Sequence, residues 1–212
     1  MPTPDFTNTA LFPTYDALPE TTTTPTDQDE GDDWFLLAQV KDDMTITKPT
    51  LVLSDRTGAP FALIFDGLDR GALDFKALGL KKGCTAVVPR ARRTPPREEG
   101  KRGFVSVPGG RSGTVRAIPA GLERVLAVGE RLKGGMGDGC AVCGKVEGLS
   151  RCMGCGGVRY CGNVSSLSLS LSLSLLVNAD DGQECQVKGW SEGGHKGECK
   201  VTKAIRGIWG EE

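Results

Sequence analysis

The feature that most constrains this chain is where its soft metal ligands fall. Seven of its eight cysteines lie between 140 and 199, together with its only histidine, His195. "CAVC" places Cys140 and Cys143 in one C-x-x-C pair, and "CMGC" places Cys152 and Cys155 in another. "HKGEC" pairs His195 with Cys199, and Cys161 and Cys185 stand between these groups. Each short spacing lets two side chains reach one tetrahedral zinc. Eight ligands divide into two sets of four and leave no open coordination position, as in structural rather than catalytic sites. Gly154, Gly156 and Gly157 suit a tight knuckle in which backbone N–H groups approach thiolates. A redox C-x-x-C would need a thioredoxin-like βαβ unit, and the sequence has none. Cys84 lies apart, in an apolar strand, and reads as a small buried hydrophobe.

The remaining chain predicts a modest domain ahead of this small module, since 212 residues allow one of each. Residues 1–33 hold eight acidic and no basic residues, and "PETTTTPTDQDEGDD" has too little apolar content to fold. Residues 1–32 are therefore expected to be a disordered acidic Thr/Pro-rich tail. From 33 to 132 the texture is β-rich. "PTLVLSDRTGAPFALIFDG" reads as a hairpin, with strands Thr50–Ser54 and Phe61–Asp66 around a turn at Asp55–Gly58. "GALDFKALGLKKG" reads as a short helix ended by Gly83, and "PAGLERVLAVGERL" as a longer one with Leu122, Val125, Leu126 and Val128 on one face. "CTAVVPR", "GFVSV" and "GTVRAI" read as further strands. Strands, a helix, then strands is the order of a small Greek-key barrel, so an OB-like domain is expected. "PRARRTPPREEGKR" is a basic segment between two strands. It reads as a solvated Pro-rich loop, with phosphate gripping as the alternative.

The stretches "CAVCGKVEGLSRCMGCGGVRYC" and "ECQVKGWSEGGHKGECK" resemble a MYND-type zinc finger of the fungal kind, over 138–201. The resemblance includes Tyr160–Cys161, Cys185–Gln186, Trp190 and Gly193–Gly194–His195–Lys196. It implies cross-braced binding of two zinc ions: Cys140, Cys143, Cys161 and Cys185 on one, Cys152, Cys155, His195 and Cys199 on the other. It also implies a shallow groove for proline-containing peptides, with Gln186 and Trp190 as the contacting residues. A Trp offers an apolar platform for proline, and a Gln amide pairs with an extended backbone. Packing of Trp190 over the metal core is the competing reading.

One departure is large. Twenty-three residues separate Cys161 from Cys185, where the family has three. Removing Val164–Gln183 restores that spacing at a single joint. The excised stretch is dominated by "SSLSLSLSLSLL", a monotonous alternation that a pyrimidine tract encodes. Its codons also accommodate donor and acceptor splice signals, so it reads as retained intron. Residues 202–212 are expected to be a C-terminal tail.

The fold expected is thus a small α+β chain: a β-rich OB-like barrel followed by a cross-braced two-zinc finger. The function expected is a zinc-dependent protein-interaction module for a partner with a proline-containing motif. Nucleic-acid binding by the basic domain is the alternative. A SET-type lysine methyltransferase is a remote third, because no long catalytic segment is present and the single histidine is already a ligand candidate. No enzyme activity is expected. No stretch of about 18 apolar residues and no basic-then-apolar leader is visible, which points to cytoplasm or nucleus.

Overall fold

A computed structural model describes residues 4–21, 33–96, 102–133, 138–162 and 181–210. The chain divides into two compact units, Asp5–Ala127 and Val128–Glu212, the latter taking in Met1–Pro4. Among the described residues no helix is long and apolar enough to cross a membrane.

The first unit is built on seven strands: β1 (Phe35–Asp43), β2 (Thr50–Ser54), β3 (Pro60–Asp66), β4 (Thr85–Pro89), β5 (Arg93–Thr94), β6 (Phe104–Pro108) and β7 (Arg116–Ile118). Their order in the sheet is β5-β6-β3-β2-β1-β4-β7, and every pairing is antiparallel except β3 with β6. Alternation sets the faces. Phe61, Leu63 and Phe65 of β3 are buried while Ala62 and Ile64 between them are half-exposed. Leu63 is flanked by Leu51 on one side and Val105 on the other, so the core runs across the strands. The β2–β3 turn closes where the sequence places it. Gly58 N–H donates to the Asp55 carbonyl at 3.1 Å, and Gly58 takes a φ of 83° that favours glycine. Only Arg90–Arg92 separate β4, one place in from the β7 edge, from β5 at the opposite edge. Arg90 turns there through a φ of 49° and donates its N–H to the Trp34 carbonyl. Among the described residues no pairing joins β5 to β7.

Three expectations for this unit are corrected. Residues 4–21 are not a tail. Phe6, Phe12, Tyr15 and Leu18 are buried, and Tyr15 stacks on Phe61 with ring centroids 4.5 Å apart. Averaging over 1–32 hid four large apolar side chains under the Thr, Pro and Asp that follow them. Residues 22–32 lie outside the described residues. The helix expected before Gly83 is instead a run of turns. Leu78 N–H reaches the Asp74 carbonyl at 3.1 Å, but Gly79 adopts a φ of 74° and ends the turn one residue later. Phe75 and Leu80 still reach the core and Leu73 and Leu78 pack against it, while Ala77, expected on the same face, is exposed. Cys84 is half-buried rather than buried, because it lies just before β4 and not within it. The longer helix is present as α1 (Leu122–Lys133), with Leu122, Val125 and Val128 buried.

The second unit has a two-stranded ribbon, β8 (Leu149–Arg151) paired with β9 (Arg159–Cys161), and two helices, α2 (Asp181–Ser191) and α3 (His195–Trp209). The expected tail at 202–212 is corrected: α3 continues through Trp209, with Val201, Thr202 and Ile205 buried. The apolar residues recur three and four apart past the last ligand, which is a helical face. Of the inserted stretch, 164–180 lie outside the described residues, and Asp181–Gln183 form the first turn of α2.

Candidate metal centre

Two knuckles of the same build carry the first four ligands. In Cys140–Gly144 the Gly144 N–H closes on the Cys140 carbonyl at 2.9 Å, and Gly144 has a φ of 75°. In Cys152–Gly156 the Gly156 N–H closes on the Cys152 carbonyl at 2.7 Å, and Gly156 has a φ of 63°. Both turns end on a glycine because the closing residue is left-handed. The β8–β9 ribbon holds the second knuckle at its tip, with Cys152 N–H on the Val158 carbonyl at 2.7 Å, and delivers Cys161 at the end of β9. The first knuckle is tied to the same ribbon through Ala141 N–H and the Arg159 carbonyl, 2.9 Å apart. Cys185 comes from α2, and His195 and Cys199 stand one turn apart on α3.

These elements assemble two groups, Cys140/Cys143/Cys161/Cys185 and Cys152/Cys155/His195/Cys199, each with its ligand atoms within 4.8 Å of one another. All eight residues singled out in the sequence fall into them, in interleaved order along the chain. The Cys143 and Cys161 sulphurs are 3.4 Å apart, and those of Cys152 and Cys199 3.8 Å. His195 Nε2 lies 3.3 Å from the Cys152 sulphur and 3.5 Å from that of Cys155. The second group is buried throughout. In the first, Cys140 is buried and Cys143 is exposed. Two soft quartets at this separation could each hold a metal ion.

The thiols within each group differ in how readily they ionise. Burial works against ionisation of Cys140, but the N–H groups of Cys143, Val142 and Cys161 outweigh it and bring its thiol down to about 6. Burial likewise opposes ionisation of Cys152, and the N–H groups of Cys155 and Gly154 outweigh it. Their neighbours go the other way. The hydrogen bond with Cys143, with burial, pushes Cys161 up to about 12. Burial, with the hydrogen bond that Cys199 donates to Cys152, pushes Cys199 up to about 12. Four sulphurs in the first group, or three in the second, cannot all ionise so close together without a positive charge among them, so the first to ionise holds its neighbours neutral. Burial lowers the His195 pKa and favours the neutral imidazole that binds metal.

The core between the clusters is made by a residue whose packing the sequence did not reveal. Tyr160 is buried, and a Cβ on Gly189 would come within 2.2 Å of its ring, so α2 can approach β9 only through a glycine. Burial, with the surrounding thiolates, pushes the Tyr160 hydroxyl up to about 12. Cys185 and Gly189 occupy the inner side of α2. Gln186 and Trp190, one turn apart, are both exposed, and Trp190 retains 41% of its surface. The Trp190 ring also meets His195 edge-on at 5.7 Å, so it touches the metal core as well as solvent. Val187 and Met153 are exposed too.

The basic segment sits in the other unit, and three of its described arginines are engaged by carboxylates. Arg93 pairs with Glu20 at 2.8 Å, Arg90 with Asp33 at 2.9 Å and Arg102 with Asp16 at 3.3 Å. Arg102 also lies over the Tyr15 ring, 4.9 Å from its centroid. Residues 97–101 of the segment lie outside the described residues. No family model, no curated protein and no solved structure matches this chain.

Proposed function

We propose that this chain is a zinc-stabilised protein-interaction module of MYND type that captures short proline-containing peptides on α2. The observation that carries the reading is the division of α2 into two sides. Cys185 and Gly189 face the clusters while Gln186 and Trp190 remain at the surface, so metal binding holds the display helix in place. Zinc suits the donors: three or four sulphurs and at most one imidazole per site are the soft tetrahedral set it favours. A tetrahedron with metal–sulphur bonds of about 2.3 Å and metal–nitrogen bonds of about 2.0 Å has edges of roughly 3.5–3.8 Å. The ligand separations of 3.3–3.8 Å in the second group are close to those edges. Four protein ligands per ion leave no place for substrate water, which favours a binding role over an enzymatic one.

An OB-like reading of the first unit draws support from its connectivity. β1, β2 and β3 form a meander, β6 runs parallel to β3, and β4 with β5 spans the distance of one bent strand. In this reading the unit is a scaffold. Engagement of Arg90, Arg93 and Arg102 by carboxylates favours the peptide-binding role over a nucleic-acid one.

The test is Trp190→Ala in the full chain, with proline-containing peptides as ligands and bound metal measured alongside. Peptide affinity is expected to fall by at least about 2 kcal/mol, the scale of an aromatic hot spot, with two metal ions retained. Release of metal by the same substitution would make Trp190 a packing residue and remove the platform.

A further inference from the structure

The turns of α3 beyond its last ligand carry a residue with no place in the ligand set. Cys199, Thr202 and Arg206 follow one another three and four residues apart, so they share a helix face. That face lies on the glycine side of the second knuckle. A Cβ on Gly154 would stand 2.9 Å from the Cys199 sulphur. One on Gly157 would stand 2.6 Å from Thr202 Cγ2 and 3.5 Å from Arg206 Cδ. One on Gly156 would stand 3.2 Å from Arg206 Nη1. The three glycines are therefore where the knuckle accepts α3, in addition to shaping its turn.

Arg206 Nη1 donates to the Cys155 carbonyl at 3.4 Å. On the far side of the next peptide, Gly157 N–H donates to the Cys155 sulphur at 3.4 Å. Holding the carbonyl from outside orients the peptides that aim this N–H at the thiolate. A divalent ion held by three thiolates and a neutral imidazole leaves one net negative charge. A guanidinium against the knuckle opposes that charge while donating to the Cys155 carbonyl.

We infer that Arg206 is a positioning residue for the second metal site, clamping the Cys152–Gly157 knuckle and making the last turns of α3 part of that site. The inference rests on the metal-binding reading of the two quartets. It adds that the two sites differ in what supports them.

Cobalt(II) tests it in the full chain, because a three-sulphur, one-nitrogen site and a four-sulphur site have different visible spectra and can be followed separately under chelator competition. Arg206→Gln is expected to weaken the three-sulphur site 10- to 100-fold, the range for groups that orient metal ligands, and to leave the four-sulphur site within twofold of the parent. Arg206→Lys is expected to recover part of the loss. Lys203→Gln, which removes an exposed charge from the same helix, is expected to change neither site. Unchanged affinity at the three-sulphur site in Arg206→Gln would overturn the proposal, as would an equal loss at both sites. If the parent chain bound no cobalt, the metal-binding reading would fall with it. If the parent bound two ions and Arg206→Gln bound them equally well, only the role of Arg206 would fall.

Discussion

The two units solve the same problem with different materials. In Asp5–Ala127 the buried set is hydrocarbon and aromatic: Tyr15, Phe61, Leu63, Phe65, Val105 and their neighbours across the sheet. Such a core stabilises by removing apolar area from water, and it is complete in the polypeptide itself. In Val128–Glu212 the buried cluster around the ribbon is Cys140, Cys152, Cys155, Cys185 and Cys199 around Tyr160. Five of those six side chains are metal ligand candidates. Without ions they are thiols crowding one another, and the aliphatic side chains fully buried among this unit's described residues are few: Val128, Val201 and Ile205. The first unit should therefore tolerate conditions that empty the second.

The largest expected effect breaks the comparison outright if it fails. Structural zinc contributes about 10–16 kcal/mol of apparent binding free energy in finger peptides near neutral pH. A strong chelator is expected to unfold 138–210 while the sheet of the first unit persists, read as loss of amide-exchange protection in one unit and not the other. Loss of protection in both units together would show that the sheet depends on the metal.

A smaller effect sharpens the boundary of the hydrocarbon core. Phe12 is fully buried, with its ring edge-on to Phe6 at 4.9 Å. Phe12→Ala is expected to cost about 3–5 kcal/mol in denaturant unfolding of the first unit, with bound metal unchanged. A cost below about 1 kcal/mol would mean that the N-terminal segment packs on the sheet without contributing to it.

The smallest effect concerns the charges over the same segment. The Arg93–Glu20 pair is half-exposed. Glu20→Gln is expected to cost less than about 1 kcal/mol and to cost less still in high salt, because exposed ion pairs are screened. A larger, salt-independent loss would place this pair among the supports of the N-terminal segment, alongside the Thr21 N–H to Arg93 carbonyl bond at 2.8 Å.

The sequence by itself determined which residues are candidates for the two Cys/His groups. Cysteine and histidine at C-x-x-C and H-x-x-x-C spacing need only local geometry to become paired donors, so Cys140, Cys143, Cys152, Cys155, His195 and Cys199 were legible before any fold was known, while Cys161 and Cys185 were marked by the resemblance. Strands with simple alternation were legible for the same reason, and Thr50–Ser54 occupies the residues its pattern marks. Spacing alone left open which pair of ligands joins which. That depends on the β8–β9 ribbon, which returns Cys161 beside the first knuckle, and on α2 and α3, which bring in the ligands from beyond the inserted stretch. Composition misled at both ends of the chain, because burial of Phe12 or Ile205 depends on what lies opposite and not on the residues alongside. Trp190 was identified by its place in the motif, but only the packed helix makes it both an exposed ring and a neighbour of His195. Arg206 had no local signature at all: its significance comes from three glycines about fifty residues earlier, which leave room for α3 to lie against the knuckle.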